Sequence, residues 1–355
     1  MKPILAAMLS VSGMVLTDAE KRLLARANPL GVSLFKHNVR DKRQVKALIR
    51  SIKEVIGRDD VLIAVDQEGG SVCRFGPPKW PQYLSQYALG SLKGREGDEL
   101  TRLHGALIGA DLKKLGVNWN YAPVLDVRYA NTTTALANRI FSDDEKLVAK
   151  RGQILLKAYQ AQGICSCVKH LPGHGRAQVD PHLHLPILTQ SIKTLAKDFY
   201  PFKALADQAV AGMTAHIVIA EVDDKPVTQS AKAIQEIIRG RIGFKGFLIS
   251  DAIDMMALKG TLTERVQSSL EAGCDAICYC FGIEDELREV VKAARPLTEE
   301  AMDRFFKIRD IILKPSEPLD QVDAYARYRQ LAGKTKSLKT DYDAVEVLHQ
   351  MREAK

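Results

Sequence analysis

An alternation that runs the whole length of the chain limits what it can fold into. Short apolar runs are each followed by a longer stretch with helical periodicity. The runs lie at 8–12, 31–35, 61–66, 117–120, 164–169, 212–216, 247–251 and 275–280. The helical stretches lie near 18–27, 43–56, 98–115, 144–162, 192–210, 231–242 and 262–272, with a last set from 284–294 onward. Strand, helix, strand in repetition predicts βα units and a parallel sheet, because parallel neighbours need a crossover between them. Eight such strands are the number that closes a barrel. We therefore expect an α/β fold, one (β/α)8 TIM-type barrel domain over residues 1–355, with the charged tail after Pro315 forming extra helices packed on its outside. No Pro/Gly/Ser-rich linker interrupts the chain, and no internal repeat appears beyond the βα alternation.

The net charge of +8 is spread along the chain, without a run of like charge that would read as a nucleic-acid arm. No segment reaches the ~20 apolar residues of a membrane span. Cys73, Cys165, Cys167, Cys274, Cys278 and Cys280 mostly sit in apolar runs and show no C-x-x-C zinc spacing, which predicts free thiols in a reducing compartment. The first sixteen residues could pass for a secretory leader, with Lys2 ahead of an apolar run. Against that, Thr17 and Glu20 have the spacing of a capping box opening the first helix.

In a barrel of this kind the chemistry lies at the C-terminal ends of the strands. Those ends carry Asp66, Asn120, Lys169 with His170, His216 and Asp251. The fifth run leads straight into the densest polar stretch of the chain, where Lys169 is followed by His170, His174, His182 and His184. Asp180 and His182 are two apart, so in an extended segment both side chains project to one side. Pro181 biases Asp180 toward that conformation. A carboxylate beside an imidazole favours the protonated ring and orients it, as a general acid near neutral pH requires.

Lys169-His170-Leu171-Pro172-Gly173-His174-Gly175, followed by Asp180 and His182, resembles the signature of family 3 glycoside hydrolases, and specifically the bacterial β-N-acetylglucosaminidases of peptidoglycan recycling. Asp66-Gln67-Glu68-Gly69-Gly70-Ser71-Val72-Cys73-Arg74 resembles a second family segment, with Ser71 where the family usually has Arg. Ala137-Asn138-Arg139-Ile140-Phe141 resembles a third, departing afterwards at Ser142 and Asp143. Gly246 to Met255 resembles the segment that carries the family's nucleophile, and residues 10–20 resemble its first strand and helix entry, so that removing them would delete a barrel strand.

The resemblance implies roles residue by residue. Asp251 is the expected nucleophile, His182 the general acid, and Asp180 its partner. Asp66, Arg74, Arg139, Lys169, His170 and His216 are the expected sugar-binding residues. Glu68 is expected to shape its loop, Asp126 and His184 to be structural, His174 to organise the motif, and Asp254 to cap or support the loop after Asp251. The implied activity is that of a retaining exo-β-N-acetylglucosaminidase acting on GlcNAc linked β-1,4 to anhydro-muropeptides. It would be a cytoplasmic monomer with no cofactor or metal. A phosphorylase using the same His–Asp pair is the alternative chemistry. A metal-dependent hydrolase built on His170, His174, His182 and His184, and a non-catalytic sugar-binding relative altered at Ser71, Pro181 and Ser142, are alternatives of other classes.

Overall fold

The computed structural model describes residues 2–180 and 183–338. In chain order its strands are β1 (Leu5–Leu9), β2 (Pro29–Leu34), β3 (Leu62–Val65), β4 (Gln67–Gly69), β5 (Val72–Cys73), β6 (Trp119–Asn120), β7 (Cys165–Ser166), β8 (Val168–Leu171), β9 (Ile187–Leu188), β10 (Ala211–Thr214), β11 (Val218–Ile219), β12 (Phe247–Ala252) and β13 (Ala276–Cys278). The helices are α1 (Asp18–Ala27), α2 (Lys42–Ile56), α3 (Gln86–Ser91), α4 (Gly94–Leu115), α5 (Glu145–Ala161), α6 (Ile192–Ala204), α7 (Ala231–Ala233), α8 (Leu262–Ala272), α9 (Glu284–Ala293), α10 (Glu299–Ile312) and α11 (Gln321–Ala332).

Nine strand segments join in the order β7-β6-β3-β2-β1-β13-β12-β10-β8, and every pairing among them is parallel. The two ends of that order, β7 and β8, are separated in the chain by Cys167 alone. Its backbone N–H donates to the carbonyls of Asn120 and Ala122 at 3.0 and 3.1 Å. The run from Cys165 to Leu171 therefore serves both edges of the sheet, and the eight expected strands close as a barrel. Strands buried on both faces explain why the sequence shows continuous apolar runs rather than alternation. All residues of β1, β2 and β3 are buried.

The outer helices follow from their apolar stripes. Val45, Leu48, Ile49, Ile52 and Ile56 form the buried face of α2, at the i, i+3, i+4, i+7 spacing of a surface helix. The Thr17/Glu20 capping box opens α1, and Glu20 also accepts from the Ser12 backbone at 2.7 Å, tying the loop after β1 to the helix. Beyond Pro315, α11 lies on α4. Arg327 makes a fork with Glu99 at 2.8 and 2.9 Å, and Leu331 and Tyr328 are buried beneath it. All six cysteines are free. Among the described residues no helix is long and apolar enough to cross a membrane.

Boundaries differ from the sequence reading in instructive ways. The first strand is Leu5–Leu9 rather than 8–12, because Ser10 and Val11 are buried but already turn out of the ladder. The sixth helix stops at Ala204, short of 210. The stretch 231–242 is helical, but Ile234–Arg241 winds as a π-helix.

One buried group makes the fold sensitive to acid. His104 on α4 is fully buried, and burial, the main influence, pulls its pKa from 6.5 to about 4. A ring held neutral in the fold takes up a proton on unfolding across that interval. Stability is then full above pH 6.5 and is lost as pH falls toward 4, at about 1.4 kcal/mol per pH unit. We expect the urea midpoint to fall over this range, and His104→Gln to flatten the fall by one proton. An unchanged slope in the variant would contradict the assignment.

Candidate active site

The polar strand ends converge at one face of the barrel. Asp66 directly follows β3, and the chain then folds into the β4–β5 hairpin. Gln67 closes this hairpin from inside, accepting from the backbone N–H of Arg74 and Phe75, both at 3.0 Å, and donating to the Phe75 carbonyl at 2.9 Å. Gly69 adopts a φ of +94°, and a Cβ there would stand 2.1 Å from the Leu84 carbonyl oxygen, so the hairpin requires glycine. With Gln67 turned inward, Asp66 and Glu68 share the other side, as alternation in an extended segment dictates.

Asp66 and Glu68 meet three cations. Lys169 lies 2.8 Å from both Asp66 and Glu68, Arg74 is 3.3 Å from Asp66, and Arg139 grips Glu68 through two nitrogens at 2.8 and 2.9 Å. Burial is the largest influence on Asp66, Glu68, Lys169 and Arg139 and opposes the charge of each. For Asp66 the ammonium of Lys169 and the guanidinium of Arg74 outweigh it, and for Glu68 those of Arg139 and Lys169 do, so both carboxyls are held below their ordinary values. The two carboxylates in turn raise Lys169 against its own burial. The cluster is fully ionised at neutral pH and turns ammonium and guanidinium donors toward one place.

Lys169 and His170 lie inside β8, joined by a cis peptide. Asp126 fixes the second of them. Its carboxylate accepts from His170 Nδ1 at 2.8 Å and from the His174 backbone N–H at 2.6 Å, which leaves His170 Nε2 outside that contact. His174 is buried, burial lowers its pKa to about 4, and among the described residues its Nε2 has no hydrogen-bond partner. Ligand atoms of Asp126, His170 and His174 lie within 4.8 Å of one another, so these three could hold a metal ion. This is not the set of four histidines suggested by the sequence. His184 is exposed, and His182, with Pro181, lies outside the described residues.

Asp180 is buried, and its carbonyl accepts from the backbone N–H of Leu183 and His184 at 3.0 and 2.9 Å. Asp251 ends the apolar part of β12. Its carboxylate accepts from the Ala252 N–H at 2.8 Å, and it remains partly exposed. Strand order sets Asp251 on β12 across the barrel from Asp66 after β3. His216, expected at the sugar site, lies beside the strand end that carries Asp251. It is fully buried, with Nδ1 2.8 Å from the Thr228 hydroxyl and Nε2 2.9 Å from the Ala252 carbonyl, so it braces the strand end that carries Asp251. Asp254, also buried, accepts from the Cys280 N–H at 3.1 Å and supports the same region.

The departures at Ser71 and Ser142 are absorbed locally. Ser71 donates to Asn138 at 3.1 Å, and the Ser142 hydroxyl accepts from the Asp144 N–H at the entry to α5. Sequence reasoning under-read Glu68. Its offset of two from Asp66 was the available signal, since it puts both carboxylates on one side of an extended segment. A partly exposed carboxylate on β12 thus stands across the barrel from a set of ion-paired cations and an imidazole held by Asp126. Such a site can hold a polyhydroxylated ring and attack it from one side.

Known proteins resemble this chain in sequence and fold. The profile described as Glycosyl hydrolase family 3 N terminal domain matches residues 5–308. A β-hexosaminidase of Bordetella avium (strain 197N) is 32% identical over 331 residues, covering 91% of this chain and 92% of its own. A β-hexosaminidase of Stenotrophomonas maltophilia (strain R551-3) is 35% identical over 279 residues, 77% of this chain and 82% of its own. The structure of NagZ from Neisseria gonorrhoeae in complex with N-trifluoroacetyl-D-glucosamine superposes with a TM-score of 0.82, at 29% identity over 94% of this chain and 99% of that one.

Proposed function

Because this chain belongs to glycoside hydrolase family 3 and is a glycosidase of the β-hexosaminidase type, we propose that it is a retaining exo-β-N-acetylglucosaminidase. Its substrate is a terminal GlcNAc linked β-1,4 to anhydro-muropeptides in cell-wall recycling, and it acts as a cytoplasmic monomer of one domain. The observation that carries this reading is the pairing of Asp251 with the Asp66–Glu68–Lys169–Arg74–Arg139 cluster across the barrel mouth.

In this reading Lys169, Arg74 and Arg139 donate to the sugar hydroxyls, Asp66 accepts from them, and His170, whose Nδ1–H goes to Asp126, presents Nε2 to a hydroxyl. Asp66, Glu68 and Asp126 hold those donors in place before substrate arrives, so little ordering remains to be done on binding. Asp251 attacks the anomeric carbon and the glycosidic oxygen leaves with a proton from His182, which Asp180 orients. His182 then takes a proton from water, and that water displaces Asp251 from the anomeric carbon. Two displacements restore the starting configuration. The acetamido group is a recognition element and not the nucleophile.

The test follows the first product formed from a GlcNAc-β-1,4-anhydro-muramyl peptide by proton NMR, with and without inorganic phosphate. β-GlcNAc should appear first and mutarotate later. Initial α-GlcNAc would overturn the two-displacement reading, and accumulation of GlcNAc-1-phosphate would make the protein a phosphorylase.

A further inference from the structure

The family profile ends at residue 308, yet a residue of α11, well beyond it, is linked through His104 to the hairpin that carries Glu68. The Tyr328 hydroxyl lies 2.8 Å from the Leu84 backbone nitrogen and 3.3 Å from His104 Nδ1, and His104 Nε2 lies 3.1 Å from the Glu68 carbonyl. The chemistry of the two end groups fixes the direction of every bond between them. Leu84 N–H can only donate, so the Tyr328 oxygen accepts and its proton goes to Nδ1. The Glu68 carbonyl can only accept, so Nε2 carries the ring proton. A neutral imidazole of one tautomer satisfies the whole chain, in keeping with its complete burial.

This clasp bears directly on the hairpin. A Cβ at Gly69 would fall 2.9 Å from His104 Cε1 as well as 2.1 Å from the Leu84 oxygen. The Tyr83 ring stands edge-on to both His104 and Tyr328, at 5.8 and 6.0 Å, while its carbonyl accepts from the Gly70 N–H at 3.0 Å. The backbone on each side of Gly69 is thus held by the same aromatic group. The side chain one residue earlier, Glu68, carries Arg139 and Lys169.

We propose that α11 is a working part of the sugar site, with Tyr328 and His104 as positioning residues that set Glu68 and, through it, Lys169 and Arg139. The inference rests on the reading of Lys169 and Arg139 as sugar-binding groups. Removing the Tyr328 hydroxyl leaves Leu84 N–H and His104 Nδ1 without their partner and frees the ring to tilt away from the Glu68 carbonyl.

The test compares full-length wild type, Tyr328→Phe, His104→Leu, Leu331→Ala and Lys169→Met on 4-nitrophenyl β-N-acetylglucosaminide, with Tm measured for each. Leu331 is buried on the same helix and outside the clasp, so its variant reports loss of packing alone. Tyr328→Phe should raise KM about ten-fold with kcat within about two-fold, the pattern of lost ground-state binding. His104→Leu should shift KM in the same direction. Leu331→Ala should lower Tm while KM stays within about two-fold of wild type. The positioning role is wrong if Tyr328→Phe and His104→Leu keep the wild-type KM, or if Leu331→Ala raises it equally. Lys169→Met separates the two levels. A raised KM there with a wild-type KM in Tyr328→Phe sinks the clasp alone, whereas an unchanged KM in Lys169→Met sinks the sugar-site reading beneath it.

Discussion

Asp251→Ala is expected to lower kcat on an aryl β-N-acetylglucosaminide by about 10⁴-fold or more, with the fold intact. Loss of the nucleophile removes the covalent route altogether, so the deficit should not depend on how good the leaving group is. The partly exposed side chain accepts from the N–H of its own neighbour, Ala252. Azide should enter the vacated space and restore turnover, giving the α-glycosyl azide by a single displacement. His182→Ala should behave differently, with mild impairment on a nitrophenyl leaving group and severe impairment on a natural disaccharide whose oxygen needs a proton. Full activity in Asp251→Ala would remove the nucleophile assignment, and a β-azide would remove the geometry of attack.

Glu68→Gln is expected to cost about 3–5 kcal/mol of stability and to raise KM by more than ten-fold at neutral pH. Glu68 is almost completely buried and ionised, with Arg139 bound to both its oxygens and Lys169 to one. An amide of the same shape leaves three cations to share the carboxylate of Asp66, and Arg139 keeps no full counter-charge. The pH dependence has a definite sign. Burial, the largest influence, pushes the Glu68 carboxyl up, but Arg139 and Lys169 together hold it below its ordinary value of 4.5. Its contribution to stability is therefore present above about that pH and is lost as the solution is acidified below it. Urea titrations of both proteins from pH 7 to 3 should converge at the acid end. A constant difference across that range would show that the charge of Glu68 is not what holds the cluster.

The barrel was legible because its signal is redundant. Eight apolar runs in alternation with amphipathic stretches survive errors of several residues at each boundary, and β1 was recovered despite a three-residue offset. The polar end of β12 at Asp251 was legible for a related reason, since an acid ending a buried strand is an abrupt change of character. Lys169 and His170 were harder to place. They lie within β8 although they are polar, because tertiary contacts with Asp66 and Asp126 replace the apolar packing that a strand interior usually shows. Glu68 and Asp126 were under-read because their importance lies in partners 101 and 44 residues away, Lys169 and His170, which no local pattern encodes. The helical character of α11 was readable from its periodicity, but the address of Tyr328 was not, since one hydroxyl reaching Leu84 and His104 leaves no periodic trace.

The pairing of β1 with β13 also has a consequence during synthesis. The first strand has β2 beside it almost at once, but its other neighbour is Ala276–Cys278. Until the ribosome has delivered that segment, β1 and β12 present raw edges, and every residue of the ion cluster exists without an enclosing wall. The nascent chain thus carries an unsealed apolar sheet through most of its elongation, the kind of edge on which chains aggregate. Both of those edges are sealed by one strand, β13, so the wall of the barrel closes only when the last of its strands is in place.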